Sequence, residues 1–110
     1  MSNEETEQKI QQLTLLEQNL QNTTMQKQNF HLQLLELESA LKELSESSEA
    51  YKIVANIMIK GSKERLKGEL SEKKEIVEMR IKSLERQEGK LSEKAAELQK
   101  EVLGNIEKKK

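Results

Sequence analysis

The sequence predicts a mainly α protein: a long antiparallel two-helix coiled coil, its helices separated in the chain by a β-hairpin that joins other chains. Three observations carry this. Leucines recur at heptad spacing in both halves of the 110 residues. A short, apolar, β-branched stretch, "AYKIVANIMIKGS", lies between them from Ala50 to Ser62. The composition, 35% charged with one Tyr, one Phe and no Trp, Pro or Cys, does not fill an ordinary globular core.

The first helix is expected over residues 4–47. With Leu13 placed at position a, alternating steps of three and four give Leu16, Leu20, Thr23, Lys27, Phe30, Leu34, Leu37, Leu41 and Leu44. Eight of these ten positions are apolar, a narrow stripe of the kind a coiled coil buries. Disorder also favours charge and few aromatics, but it has no such period. Thr23 and Lys27 interrupt the stripe. The simple expectation there is local weakness, with the lysine stem reaching outward to water; a role in fixing register is the alternative.

The middle stretch cannot continue the helix. Ser45, Ser47 and Ser48 mark its end, and Gly61 and Ser62 mark the approach to the next, with Ser62 as N-cap and Glu64 in the first turn. Between them, "YKIVA" and "IMIK" flank the turn-prone Asn56, which predicts a tight β-hairpin over 50–60. Tyr51, Ile53, Val54, Ile57, Met58 and Ile59 put apolar groups on both of its faces. A lone two-stranded hairpin is marginal in water and leaves both edges unpaired. Hairpins of several chains are therefore expected to pair into one β body, and these six residues are the oligomerisation surface.

The second helix is expected over 62–107. Leu70, Val77, Leu84, Leu91 and Leu98 recur every seven residues; the companion positions Lys74, Ile81, Glu88, Ala95 and Val102 are weaker. Glu69–Lys73 and Glu78–Lys82 are spaced for helix-surface ion pairs, each worth about 0.2–0.5 kcal/mol. Gly68 and Gly89 weaken the helix by about 1 kcal/mol each relative to Ala, so it depends on a partner. Each helix would run roughly 65–70 Å, and equal lengths suit a fold-back in which the free ends meet. Residues 1–49 hold nine Glu against three Lys, whereas residues 50–110 hold sixteen Lys or Arg against eleven Glu. Opposite net charge favours the fold-back, within the limits of salt screening.

A coiled coil whose central "YKIVANIMIK" is followed by "SKERL" and then "RIKSLERQEGKL" resembles the beta subunits of the prefoldin family, particularly the archaeal type. The similarity covers essentially the whole chain and is most specific from Tyr51 to Lys60 and from Arg80 to Leu91. Ala55 departs from the pattern, since the family commonly has Gly before the Asn; a turn needing positive φ there is strained with alanine. The resemblance implies a jellyfish-shaped hetero-hexamer of two alpha-type and four beta-type subunits, with the hairpins forming an intersubunit double β-barrel and six coiled coils hanging from it. It further implies an ATP-independent holdase that captures unfolded client proteins at the tips and passes them to a group II chaperonin.

For a holdase the residues of interest are apolar groups that the seam does not bury. Near the free ends the seam positions become Thr6, Lys9 and Asn105, while Ile10, Leu15, Leu103 and Ile106 lie off it. The expectation is a tip that partly opens and lines itself with Ile10, Leu13, Leu15, Leu16, Val102, Leu103 and Ile106; the alternative is simple fraying. The lysines of the C-terminal "EKKK", Lys108, Lys109 and Lys110, suit the negative end of the helix dipole and are the candidates for touching an acidic rim on a chaperonin.

Other functions find little footing. His31, the only histidine, has no second His or Cys to complete a metal site. Two thin helices offer no cleft to tune a carboxylate pair, and the four glycines form no phosphate loop, so neither enzymatic activity nor a cofactor is expected. Glutamates break up any basic stripe in the second half, which argues against nucleic acid. The acidic N-terminus is unlike a signal peptide, no window approaches the roughly 20 apolar residues of a membrane span, and the lack of cysteine fits a cytoplasmic location. The competing reading is a coiled-coil structural adaptor binding one defined partner.

Overall fold

A computed structural model describes residues 3–108, with side chains to residue 106. It is mainly helical: α1 (Asn3–Glu46), β1 (Ala50–Val54), β2 (Ile57–Gly61) and α2 (Lys63–Lys108). The helices contribute to two compact units, residues 1–27 with 83–110 and residues 28–82.

In the unit of residues 28–82 the chain reverses. Glu46 ends α1, and Ser47 then closes a small turn, its hydroxyl donating to the Glu49 carbonyl at 2.7 Å and accepting from the Glu49 N–H at 3.3 Å. Strands β1 and β2 pair antiparallel in the register Ala50↔Gly61, Lys52↔Ile59 and Val54↔Ile57, which leaves a two-residue loop. Its residues Ala55 and Asn56 sit at φ 49° and 66°, the two positive values of a type I′ turn. Asparagine tolerates this; Ala55 holds the position where Cβ is penalised by about 1–2 kcal/mol. Ser62 then caps α2, accepting from the Arg65 N–H at 3.4 Å, so the helix proper begins one residue later than its cap. From the new helix, Lys63 Nζ donates to the carbonyl of Ser45 at 3.2 Å, supplying a cation to a helix end that has none of its own.

Within this unit the helices lie antiparallel, as Ser45–Lys63, Glu38–Lys74 and Phe30–Arg80 pair in opposite chain directions. Phe30, Leu34, Leu37, Leu41 and Leu44 are half-buried opposite Leu70, Lys74, Val77 and Ile81. At the hairpin base Ala50 is buried and Gly61 half-buried; a Cβ at Gly61 would lie 3.2 Å from Leu66 Cδ1.

In the other unit the helices are again antiparallel, with Lys9 paired to Glu101 and Lys27 to Glu88. Leu13, Leu16 and Leu20 of α1 and Leu84, Leu91, Ala95, Leu98 and Val102 of α2 are all half-buried or buried. Lys27 does not reach outward. Its Nζ lies 2.6 Å from Glu88 Oε1, while the Thr24 hydroxyl donates to Glu88 Oε2 at 2.7 Å. The buried Thr23 satisfies itself by donating to the Asn19 carbonyl at 2.8 Å. The expected pairs Glu69–Lys73 and Glu78–Lys82 do not form. Glu69 instead meets Lys52 of the hairpin at 3.3 Å, and Glu78 meets Lys74 at 3.9 Å. A lysine on another element, or one turn earlier, competes for each carboxylate, and exposed pairs differ little in energy.

No described side chain is fully buried, as two helices have no third layer to close over the seam. The helix glycines add to this thinness: a Cβ at Gly68 or Gly89 would meet nothing within 4 Å. Gly68→Ala and Gly89→Ala should therefore each stabilise the protein by about 0.5–1 kcal/mol, seen as a rise in Tm, with no change in assembly.

Candidate assembly hairpin and binding tip

The pleat sorts the hairpin side chains. Tyr51 and Ile53 share one face with Met58 and Lys60; Lys52 and Val54 share the other with Ile57 and Ile59. Tyr51, Ile53, Val54, Ile57, Met58 and Ile59 are all 47–69% exposed, so both faces are apolar and both are bare. A soluble hairpin keeps one polar face; this one has none. A two-residue loop also makes Val54 and Ile57 a hydrogen-bonded pair, and alternation then turns the backbone N–H and C=O of Tyr51, Ile53, Met58 and Lys60 outward. Each edge thus offers two donor–acceptor sets beside apolar side chains.

Polar groups shape this end. Tyr51 donates its hydroxyl to Glu49 Oε2 at 2.7 Å, and this hydrogen bond to a carboxylate, aided by some loss of solvent, raises the phenol pKa above its ordinary value. Lys60 stands 4.0 Å from the same glutamate, and Lys52 is drawn towards α2 by Glu69. Both edge lysines thus lie against carboxylates of their own chain.

The tip residues divide in two. Ile10, Leu15, Leu103 and Ile106 are 43–59% exposed. Leu13 and Leu16 are half-buried in the seam, and Val102 is only 7% exposed. Thr6 is buried, Asn105 is half-buried, and Lys9 Nζ lies 2.7 Å from Glu101 Oε2, so the seam stays closed at its polar positions. Lys108 is the last residue of α2; its side chain, with Lys109 and Lys110, lies outside the described residues.

The structure adds residues that the heptads do not single out. Met25 in the tip-bearing unit, and Leu32, Leu35, Ile76 and Met79 in the hairpin-bearing unit, are exposed large apolar side chains. Counting off-seam apolar residues along the whole helices, as at the tip, would have found them. His31 is exposed beside Phe30. Among the described residues no helix is long and apolar enough to cross a membrane.

Two helices in a heptad seam, joined through a hairpin bare on both faces, define a helix–hairpin–helix chain. Residues 7–108 match the family model described as prefoldin subunit. The chain is 41% identical over 96 residues to prefoldin subunit beta of Archaeoglobus fulgidus, covering 84% of this chain and 83% of that one. It is 40% identical over 74 residues to prefoldin subunit beta of Thermococcus onnurineus, covering 64% of each. The crystal structure of the prefoldin beta subunit from Thermococcus strain KS-1 superposes with a TM-score of 0.86 at 36% identity, over 92% of this chain and 91% of that one. The chain belongs to the prefoldin subunit family, whose members are chaperone subunits.

Proposed function

We propose that the chain is a beta-type subunit of an ATP-independent holdase, assembled with alpha-type subunits as a cytoplasmic hetero-hexamer of two alpha and four beta. Hairpins join the subunits through their edges and faces, in an intersubunit β-barrel. Unfolded clients are held at the coiled-coil tips and passed to a group II chaperonin, with Lys108, Lys109 and Lys110 as the contact to its acidic rim. The observation that carries the reading is the exposure of Ile10, Leu15, Leu103 and Ile106 beside a seam already filled. Apolar surface left bare next to a completed core is available to bind other chains. These four make the first contact, and Leu13, Leu16 and Val102 join as the tip opens. Several weak tips acting together give useful affinity without a specific pocket.

Replacing Ile10, Leu15, Leu103 and Ile106 together by Ser tests this. The native mass of the assembly should stay the same, while capture of several unrelated denatured proteins, read as suppressed aggregation, should fall severalfold. Undiminished capture would sink the tip assignment. Capture of one protein only, with the others ignored, would make the chain an adaptor.

A further inference from the structure

Neither the hairpin nor the tip accounts for a groove in the unit of residues 28–82. It runs beside the seam, with Phe30, Leu37 and Ala40 of α1 and Ile76 and Val77 of α2 as its apolar floor. Its volume of about 430 Å³ falls within the roughly 300–1,000 Å³ typical of binding sites. Ile76 is 52% exposed, a β-branched side chain bared beside the seam in the middle of a helix.

The rims carry the second observation. Lys73 and Arg80 line the α2 side and have no ion-pair partner among the described residues. Arg80 only caps the Phe30 ring, 5.7 Å from its centroid. Their neighbour Lys74, by contrast, lies within 3.9 Å of both Glu38 and Glu78. On the α1 side the groove has Gln33 and Glu36, and Glu36 too is unpaired. The one rim bears two free cations, the other a single free carboxylate.

Spacing identifies the shape of the occupant. Lys73 and Arg80 are seven residues apart on one helix, about 10.5 Å along its axis. An extended chain repeats its same-side groups about every 6.8 Å and misses that interval, whereas a second helix repeats it at i and i+7. Apolar residues between those two positions would fall on the floor, the usual pattern of a helix in a groove.

We propose that this groove docks an amphipathic helix of a partner protein, with carboxylates seven residues apart facing Lys73 and Arg80 and apolar side chains over Ile76 and Phe30. It acts independently of the tip and recognises a formed helix, not an unfolded chain.

The test uses the native assembly and two fluorescein-labelled, helix-stabilised peptides of three heptads. Both have Leu at the seam positions; one carries Glu at two sites seven residues apart and the other Lys at the same sites. The Glu peptide should bind about tenfold more tightly by fluorescence anisotropy, and the preference should weaken with salt. Lys73→Glu with Arg80→Glu should reverse the preference, and Ile76→Glu should remove binding of both peptides. The Ser substitutions at the tip should change neither. Native mass and circular dichroism establish that each variant is folded, and the reversed preference is itself a gain that misfolding does not produce. Equal binding of the two peptides, indifference to the charge reversal, or loss of binding in the tip variant would each overturn the proposal.

Discussion

Replacing Ile53 and Ile57 by Glu, one on each hairpin face, should reduce the native complex to single chains or small fragments while the helical circular dichroism persists. Each residue is exposed in the isolated chain, so the substitutions cost little there. Burying an Ile side chain contributes roughly 1.5–3 kcal/mol, so losing two weakens association by about 3–6 kcal/mol per hairpin, or about two to four orders of magnitude. Two unpaired carboxylates placed in an apolar β body add to the loss. Native mass spectrometry reads the outcome directly, and an unchanged mass would mean that the hairpin faces solvent in the complex. An informative companion is Ile53→Pro. It removes an outward-turned N–H from the β1 edge and leaves the hairpin's own hydrogen bonds in place. Weakened assembly there would separate edge pairing from face packing.

The heptads made both seams legible, residue by residue. Every position from Leu13 to Leu44 in the α1 stripe is half-buried or buried, as is every position from Leu70 to Val102 in the α2 stripe. Burial follows from period alone, because a narrow apolar stripe has only one way to leave water. The hairpin was legible for a related reason: β-branched residues around Asn56, with a cap signal at Ser62, leave few alternatives. Pairings across the seam were not legible. A heptad repeat tells which residues turn inward but not which residue they meet, since sliding by seven preserves the pattern. So Lys27 and Glu88 read as two separate defects and not as one interaction. The pairing of Glu69 with Lys52 was hidden similarly, because helix spacing favoured Lys73 and nothing local announced a lysine on β1. At the tip the heptads separate the same two groups: off-seam Ile10, Leu15, Leu103 and Ile106 are exposed, and the seam residues Leu13, Leu16 and Val102 are not.

The pairing that the heptads missed carries the second large expected effect. Glu88 uses both carboxylate oxygens on α1, one for Lys27 and one for Thr24, at a seam position between Leu84 and Leu91. Glu88→Leu should lower Tm by several degrees and loosen the unit of residues 1–27 with 83–110, because it strands the Lys27 ammonium beside leucines and leaves the Thr24 hydroxyl without its acceptor. Lys27→Leu should do the same by stranding Glu88. Together, the two substitutions make an apolar layer, and the double variant should match or exceed the wild type, because removing both partners of a half-buried pair also removes the part of its hydration that folding costs. Simple addition of the two losses would show that the pair is uncoupled. Acid and alkali give an independent check. The hydrogen bonds from Lys27 and then Thr24 lower the Glu88 pKa, so its contribution is present above the ordinary carboxylate value and vanishes as pH falls through the lowered one. The hydrogen bond to Glu88 raises the Lys27 pKa, so its contribution is present below the ordinary lysine value and vanishes as pH rises through the raised one. Relative to the Leu–Leu variant, the wild type should therefore hold a constant Tm difference across neutral pH and lose ground at both extremes. A difference that changes between pH 6 and 8 would point to another titrating group and remove the pair from the explanation.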